Sequence, residues 1–286
     1  MKKVAFFGLG NMGLPIALNL VKAGYNVTTA IHHSDKGPLA LEKAGGKIAG
    51  SKTDAVKDAE LIFTIVSNDV SLRGLLLDKE MIDAIPAGSV IIEMTSASPQ
   101  AVQDVASAYE KKGVFVIDAP VSGGTKKAAD ATMTIMCGGN RDAFDRILPD
   151  LEVTGKNILY LGAVGAGKMV KSVNNLLASI HKIAVAESVK IIEKNGIDPE
   201  VFYSTVVQSS GNSFQFQRDF YKYLKRDYTP TFTLGLMKKD LGLALALADD
   251  IYTPMSKLTL DMFEKASEQY SEEDTTAIIR VLESDL

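Results

Sequence analysis

Residues Val4 to Gly24, V-A-F-F-G-L-G-N-M-G-L-P-I-A-L-N-L-V-K-A-G, constrain this chain more than any other stretch. Val4 to Phe7 read as a buried strand, because a strand covered on both faces is written as a continuous apolar run. Gly8-Leu9-Gly10-Asn11-Met12-Gly13 follows, and a helical pattern then places Ile16, Leu20 and Val21 on one face. In this setting Gly8 permits the tight turn and Gly10 has no side chain to obstruct a pyrophosphate. Gly13 lets the helix pack close on the sheet. The free N–H groups and positive dipole end of the helix then face the phosphates. Pro15, in the first turn, lacks only a donor that would have had no partner there. Glycine-rich turns also serve ordinary sheet corners, but a strand before and a helix after supply the context of a dinucleotide-binding fingerprint. The stretch predicts a nicotinamide or flavin dinucleotide site.

With 286 residues the chain has room for one large or two ordinary domains. A formal net charge of -4 provides no general field toward nucleic acid or anionic lipid, so neither is an expected partner. The single cysteine, Cys137, excludes an internal disulfide and fits a reducing cytoplasm. It lies in the apolar run Met133 to Cys137, which reads as a buried strand thiol. The first strand begins at once, leaving no expected room for a signal peptide. No charge-free apolar run of about 18 residues predicts a membrane span.

Up to about residue 162, short apolar runs alternate with helical patterns, the signature of βαβ units and a parallel sheet. Strands are predicted at Val4 to Phe7, Val27 to Ile31, Leu61 to Ser67, Ser89 to Met94, Val114 to Ala119, Met133 to Cys137 and Ile158 to Leu161. Ser98-Pro99 opens a helix running to Lys112, and Asn140 caps another ending near Pro149. The runs at Val114 and Met133 lack a long helix between them, which leaves mixed or antiparallel pairing open there. Beyond Gly162 the pattern is helical throughout. One long helix runs from Gly165 to Asn195-Gly196, and others from Asp198-Pro199, Ser213 to Leu224, Leu234 to Ala248, Met255 to Tyr270 and Asp274 to Leu282. The expected architecture is an α/β Rossmann-type dinucleotide-binding domain, residues 1–162, and an all-α domain, residues 163–286, joined through a long helix.

Four further segments carry chemistry. Asp118-Ala119-Pro120-Val121-Ser122-Gly123-Gly124 exposes backbone N–H groups and one hydroxyl beyond a strand end, suited to a small carboxylate or to an ordinary turn. In Gly165-Ala166-Gly167-Lys168-Met169-Val170-Lys171-Ser172-Val173-Asn174-Asn175, Lys171 and Asn175 share a helix face with Lys168. The helix dipole does not explain lysines at a helix start. Carbonyl reduction needs a proton donor beside the developing alkoxide, which a lysine supplies, although a solvated surface lysine fits the spacing too. In Phe232-Thr233-Leu234-Gly235-Leu236-Met237-Lys238-Lys239-Asp240-Leu241, Phe232 and Lys239 read either as cofactor and substrate contacts or as a core ring and a surface ion pair. Glu93-Met94-Thr95-Ser96 ends a strand at the edge where ligands of open α/β sheets sit, and its hydroxyls serve a cofactor or start the next helix.

These motifs, in this order and covering essentially the whole chain, resemble the β-hydroxyacid dehydrogenases, the family that includes 3-hydroxyisobutyrate dehydrogenase, tartronate semialdehyde reductase and glyoxylate/succinic semialdehyde reductase. The resemblance implies reversible hydride transfer between NAD(P) and a short 3-hydroxy or 4-hydroxy acid and its semialdehyde or keto form, without a metal. It implies that Lys171 is the catalytic lysine, Asn175 orients substrate, and Ser122, Gly123 and Gly124 hold the carboxylate. It places Gly8, Leu9, Gly10, Asn11, Met12, Gly13, Ser96, Phe232 and Lys239 on the cofactor, Lys239 also near substrate, and Val66, Ser67 and Asn68 by the adenosine. A cytoplasmic homodimer or homotetramer is the expected form.

Two departures from the family pattern are informative. After the carboxylate loop stand Thr125-Lys126-Lys127-Ala128, whose lysines are solvated or favour a substrate of extra negative charge. At the second strand's end, in Ala30-Ile31-His32-His33-Ser34-Asp35-Lys36, no acid occupies the spot that NAD enzymes usually fill about 20 residues beyond the glycines; Asp35 comes slightly late, and there is no Arg to mark a 2′-phosphate. His32, His33, Ser34 and Lys36 suit a 2′-phosphate, so NADP is favoured with NAD as the alternative. Competing readings are an imine reductase-like enzyme, against which Lys171 argues, and a dinucleotide-binding protein without turnover.

Overall fold

Residues 2–283 are described by a computed structural model of the chain. The strands are β1 (Lys3–Phe7), β2 (Asn26–Ala30), β3 (Lys47–Ala49), β4 (Leu61–Thr64), β5 (Val90–Glu93), β6 (Phe115–Asp118), β7 (Val121–Ser122), β8 (Met133–Gly139) and β9 (Gly155–Tyr160). Among them run α1 (Gly13–Lys22), α2 (Lys36–Lys43), α3 (Lys52–Val56), α4 (Asp69–Leu76), α5 (Lys79–Ala84), α6 (Pro99–Glu110), α7 (Gly124–Ala129) and α8 (Arg141–Glu152). The sheet order is β3-β2-β1-β4-β5-β6-β8-β7, with β9 paired to β8. The pairings from β3 across to β6 are parallel. β8 then runs antiparallel to β6, because only the six-residue α7 separates it from β7 and no crossover helix is available.

The apolar runs are written for a sheet covered on both faces. Phe6, Phe63, Ile92 and Ile117 pack with Ile16 and Leu20 of α1 and Phe144 and Ile147 of α8. Their strand neighbours Ala5, Ile62, Ile91 and Val116 point the other way, onto Leu72 of α4 and Val102, Val105 and Tyr109 of α6. One-residue alternation thus divides each run between two cores.

The remaining helices are α9 (Ala166–Lys194), α10 (Pro199–Val207), α11 (Phe214–Leu224), α12 (Leu234–Ala246), α13 (Pro254–Tyr270) and, after a 3₁₀ turn at Thr275–Ile278, α14 (Ile279–Glu283). Their core is built from Val189, Phe216, Phe220, Leu234, Leu241, Phe263 and Ile278. The chain divides into two compact units, the first ending at Lys171 and the second beginning at Ser172, within α9. No described helix is long and apolar enough to cross a membrane.

Three details differ from the sequence expectation. β3 and β7, of three and two residues, are too short to show a period. α8 continues through Pro149 to Glu152. Buried Leu151 and Asp150, which accepts from Lys2 and Tyr25, hold its last turn against the proline. The last predicted helix begins instead as 3₁₀, with Asp274 as its cap.

Candidate active site

Each loop singled out in the first unit follows the carboxyl end of a strand. Gly8, directly after β1, takes φ +91°, and a Cβ there would collide with the Ile65 carbonyl. A Cβ on Gly13 would meet the Gly8 carbonyl, so the start of α1 sits hard on the turn. Nothing lies within 4 Å of a Cβ built on Gly10, which is exposed together with Asn11. Leu9 and Met12 instead pack against the core. Helices α3, α4, α5, α6 and α8 are capped by Ser51, Asn68, Asp78, Ser98 and Asn140, whereas α1 begins at Met12 with no side-chain cap. Open backbone at Gly10 and an uncapped positive helix end suit a pyrophosphate, so the residues present fit a dinucleotide.

The turn after β2 reaches the same place. A Cβ on Gly37 of α2 would strike the Leu9 carbonyl, so the helix that follows His32, His33 and Ser34 rests on the glycine turn. The two imidazoles lie 3.7 Å apart by centroid, and His32, His33, Ser34 and Lys36 are all exposed. After β4, Val66 donates its N–H to the Thr95 hydroxyl at 3.0 Å, joining this turn to the one after β5. Ser67 is exposed, while the Asn68 side chain accepts from Ser71 N–H at 2.9 Å as the α4 cap. Ser96 is half-buried, and Ser98 rather than Ser96 caps α6. Ser122, the last residue of β7, is half-buried, and beyond it exposed Gly123 and Gly124 take φ +143° and +73°. A Cβ on Gly123 would press into the Lys127 side chain, which therefore lies over this turn.

The start of α9 separates its two lysines. Lys168 is fully buried, donating to the carbonyl oxygens of Glu93 at 3.1 Å and Thr95 at 2.5 Å and pairing with the Glu93 carboxylate. Lys171, one turn on, is half-buried. Asp118, at the end of β6, accepts from Gly165 N–H at 2.7 Å and Lys168 N–H at 3.0 Å. Burial pushes its carboxyl above the usual range, against the opposing pull of Lys168 and these N–H groups.

In the second unit Asn175, 5% exposed, donates its amide to Asp240 at 2.6 Å. Lys239 pairs with the other oxygen of Asp240 at 3.1 Å. Phe232 is half-buried, and the segment bearing it is strapped by Asp274, which accepts from the Thr231 N–H at 2.8 Å and hydroxyl at 2.7 Å. Glu93 and Asp118 stand at the head of two motifs with no role read for them in the sequence, Asp240 reads there as a surface partner of Lys239, and Asp274 as part of a capping signal. The available signal for the first two is an acid closing an apolar strand, as in V-I-I-E and F-V-I-D.

A Rossmann-type sheet with an uncapped glycine turn, followed by an all-α unit, is the architecture of a dinucleotide-dependent oxidoreductase. Residues 3–162 match the NAD-binding domain of 6-phosphogluconate dehydrogenase, and residues 165–282 the NAD-binding domain of NADP-dependent 3-hydroxyisobutyrate dehydrogenase. The chain is 34% identical to an NAD-dependent L-serine dehydrogenase of Pseudomonas aeruginosa, over 99% of this chain and 98% of that protein. It is also 34% identical to 2-(hydroxymethyl)glutarate dehydrogenase of Eubacterium barkeri, over 98% and 95%. The solved structure of Mycobacterium tuberculosis 3-hydroxyisobutyrate dehydrogenase with L-serine aligns with a TM-score of 0.93 at 29% identity, covering 99% of this chain and 100% of that one. The chain belongs to the β-hydroxyacid dehydrogenase family.

Proposed function

We propose that this protein interconverts a short hydroxy acid and its semialdehyde or keto form, using Lys171 as proton donor and acceptor and NADP in preference to NAD. Membership of a family of hydroxy-acid dehydrogenases supports the reaction class over imine reduction or binding without turnover. The observation that carries the mechanism is one helix bearing Lys171 and, one turn on, Asn175 with its amide direction fixed by buried Asp240.

In this reading Gly8 to Gly13 receive the pyrophosphate, Val66, Ser67 and Asn68 flank the adenosine side, and Ser96, Phe232 and Lys239 complete the cofactor contacts. When bound, the nicotinamide supplies hydride acceptance or donation at the carbinol carbon. Lys171 Nζ takes the hydroxyl proton during oxidation and returns it during reduction, so charge never accumulates on the substrate oxygen. Asn175 orients that oxygen. Ser122 and the Gly123-Gly124 backbone hold the carboxylate, with Lys239 near it. Lys127, lying over Gly123, and Lys126 favour a substrate with a second negative charge.

NADP is favoured by the exposed His32, His33, Ser34 and Lys36, which offer donors and no carboxylate beyond Asp35. Residues 1–162 act as the dinucleotide domain and 163–286 as the substrate domain, working as a cytoplasmic dimer or tetramer. Exposed Leu177, Ile191 and Leu258 support that assembly. An absorbance assay with NADPH and NADH against L-serine, 3-hydroxyisobutyrate, threonate, 2-(hydroxymethyl)glutarate and the matching semialdehydes tests the proposal. Turnover of at least one hydroxy acid is expected, and turnover of none contradicts the reading.

A further inference from the structure

Thr64, Glu93 and Asp118 sit in register across β4, β5 and β6, and all three are fully buried. They form a polar row at the carboxyl ends of three strands that are otherwise apolar. Lys168 enters this row from the first turn of α9. Its ammonium pairs with the Glu93 carboxylate and donates to the Glu93 and Thr95 carbonyl oxygens. The other Glu93 oxygen accepts from Thr95 N–H at 2.8 Å, and the Thr95 hydroxyl accepts from Val66 N–H at 3.0 Å. Asp118 takes Gly165 and Lys168 N–H, as an acid at a helix start should. A Cβ on Gly167 would collide with the Met136 carbonyl, so this turn of α9 rests directly on β8.

The arrangement does little that an apolar core would not do for stability. A buried ion pair roughly repays its own desolvation, and apolar residues of similar volume commonly serve as well. It does something an apolar core would not: one side chain ties the turn after β5 to a helix start, and the Thr95 hydroxyl carries that tie on to the turn after β4. Nor can Lys168 serve as the proton donor, since its side chain is 0% exposed.

We propose that the buried Lys168–Glu93 pair is a positioning device that locks the turns bearing Val66 and Thr95-Ser96 to the first turn of α9, and so sets Lys171. The proposal rests on the reading of Lys171 given above. Lys171 follows Lys168 by one helical turn, and Ser96 follows Thr95 directly. Loosening the pair therefore displaces a proton carrier and a cofactor contact together, while Asn175 keeps its own anchor on Asp240.

Lys168→Met alone leaves the buried Glu93 carboxylate without its cation and is expected to fold poorly, so the decisive variant is Glu93→Gln/Lys168→Met, which removes both charges of the pair and leaves Asp118 on the Gly165 and Lys168 N–H groups. Three readouts apply: thermal midpoint, amide hydrogen exchange at residues 65–67 and 94–97, and steady-state kinetics with hydroxy acid and dinucleotide. The double variant is expected to melt within a few degrees of the parent, yet to exchange at least tenfold faster in both turns. Its kcat should fall at least tenfold while KM for the hydroxy acid changes less than threefold. Parental exchange and parental kcat in a folded double variant overturn the proposal. Lys171→Met, which leaves the pair intact, separates the two claims. If it stays active, the proton-carrier reading fails, while exchange still decides whether the pair locks the turns.

Discussion

The amide of Asn175 donates to the carboxylate of Asp240 at 2.6 Å, and the two residues are 5% and 2% exposed. A carboxylate only accepts, so it fixes which end of the amide faces it, and the Asn175 oxygen turns to Asn174, which donates at 3.3 Å. Asp240→Asn removes that directive and leaves a buried donor free to mispair. kcat/KM for the hydroxy acid should fall about ten- to hundredfold, corresponding to ~1–3 kcal/mol for an unmatched buried group. Dinucleotide affinity should change less than this, because among the proposed cofactor contacts only Lys239 pairs with Asp240, and steady-state kinetics beside a dinucleotide titration check both.

The turn after β2 tests the cofactor assignment. Ser34 is exposed beside the two imidazoles, which are tilted by 58° to one another. Ser34→Asp places a negative charge where a 2′-phosphate is proposed, and the NADPH-to-NADH preference should move roughly tenfold toward NADH, from ~1–2 kcal/mol of repulsion at an exposed site. An unchanged preference contradicts the phosphate assignment.

The substrate-charge assignment turns on Lys127, whose stem lies over Gly123, and on Lys126 beside it. Lys126→Gln/Lys127→Gln should lower kcat/KM for 2-(hydroxymethyl)glutarate, a dicarboxylate, by about threefold or more relative to 3-hydroxyisobutyrate. Both lysines are exposed, so the difference should shrink at 1 M salt, where the screening length is about 3 Å. Equal losses on both substrates at every salt concentration contradict the assignment.

Asp274 gives the helical unit a signed pH dependence. Burial raises its carboxyl, but the Thr231 hydroxyl and N–H, the Thr276 N–H and Lys182 outweigh burial and hold it well below the usual carboxylate range. The unfolded chain therefore binds this proton first as pH falls. The contribution is fully present above about pH 4, the unfolded value, and is lost as pH falls further toward the native one. Asp274→Asn should destabilise the protein by ~1–3 kcal/mol at pH 7 and flatten the acid limb of its stability curve, as urea melts between pH 2 and 7 would show. An acid limb identical to the parent's contradicts this.

Long-period features were legible in the sequence. The glycine turn, the 29-residue α9 and the capped starts at Ser98, Asn140, Asp198 and Ser213 are each written in a few adjacent residues. What escaped depends on partners distant in sequence. Lys168 and Lys171 share a motif and a spacing, but only the register of β5 and β6 puts Glu93 and Asp118 beneath the first of them. Asp240 reads as a surface partner of Lys239 until α9 brings Asn175 to it. Pro149 reads as a helix stop because local propensity does not register the burial of Leu151 two residues later.

The central claim is that Lys171 carries the proton. The most direct measurement compares Lys171→Met with the parent in single-turnover hydride transfer from a hydroxy acid to saturating dinucleotide, with dinucleotide affinity measured in parallel. The account predicts transfer slowed roughly 10²–10⁴-fold, the usual contribution of a positioned acid–base group, with affinity within about threefold of the parent. Transfer at the parental rate would contradict it.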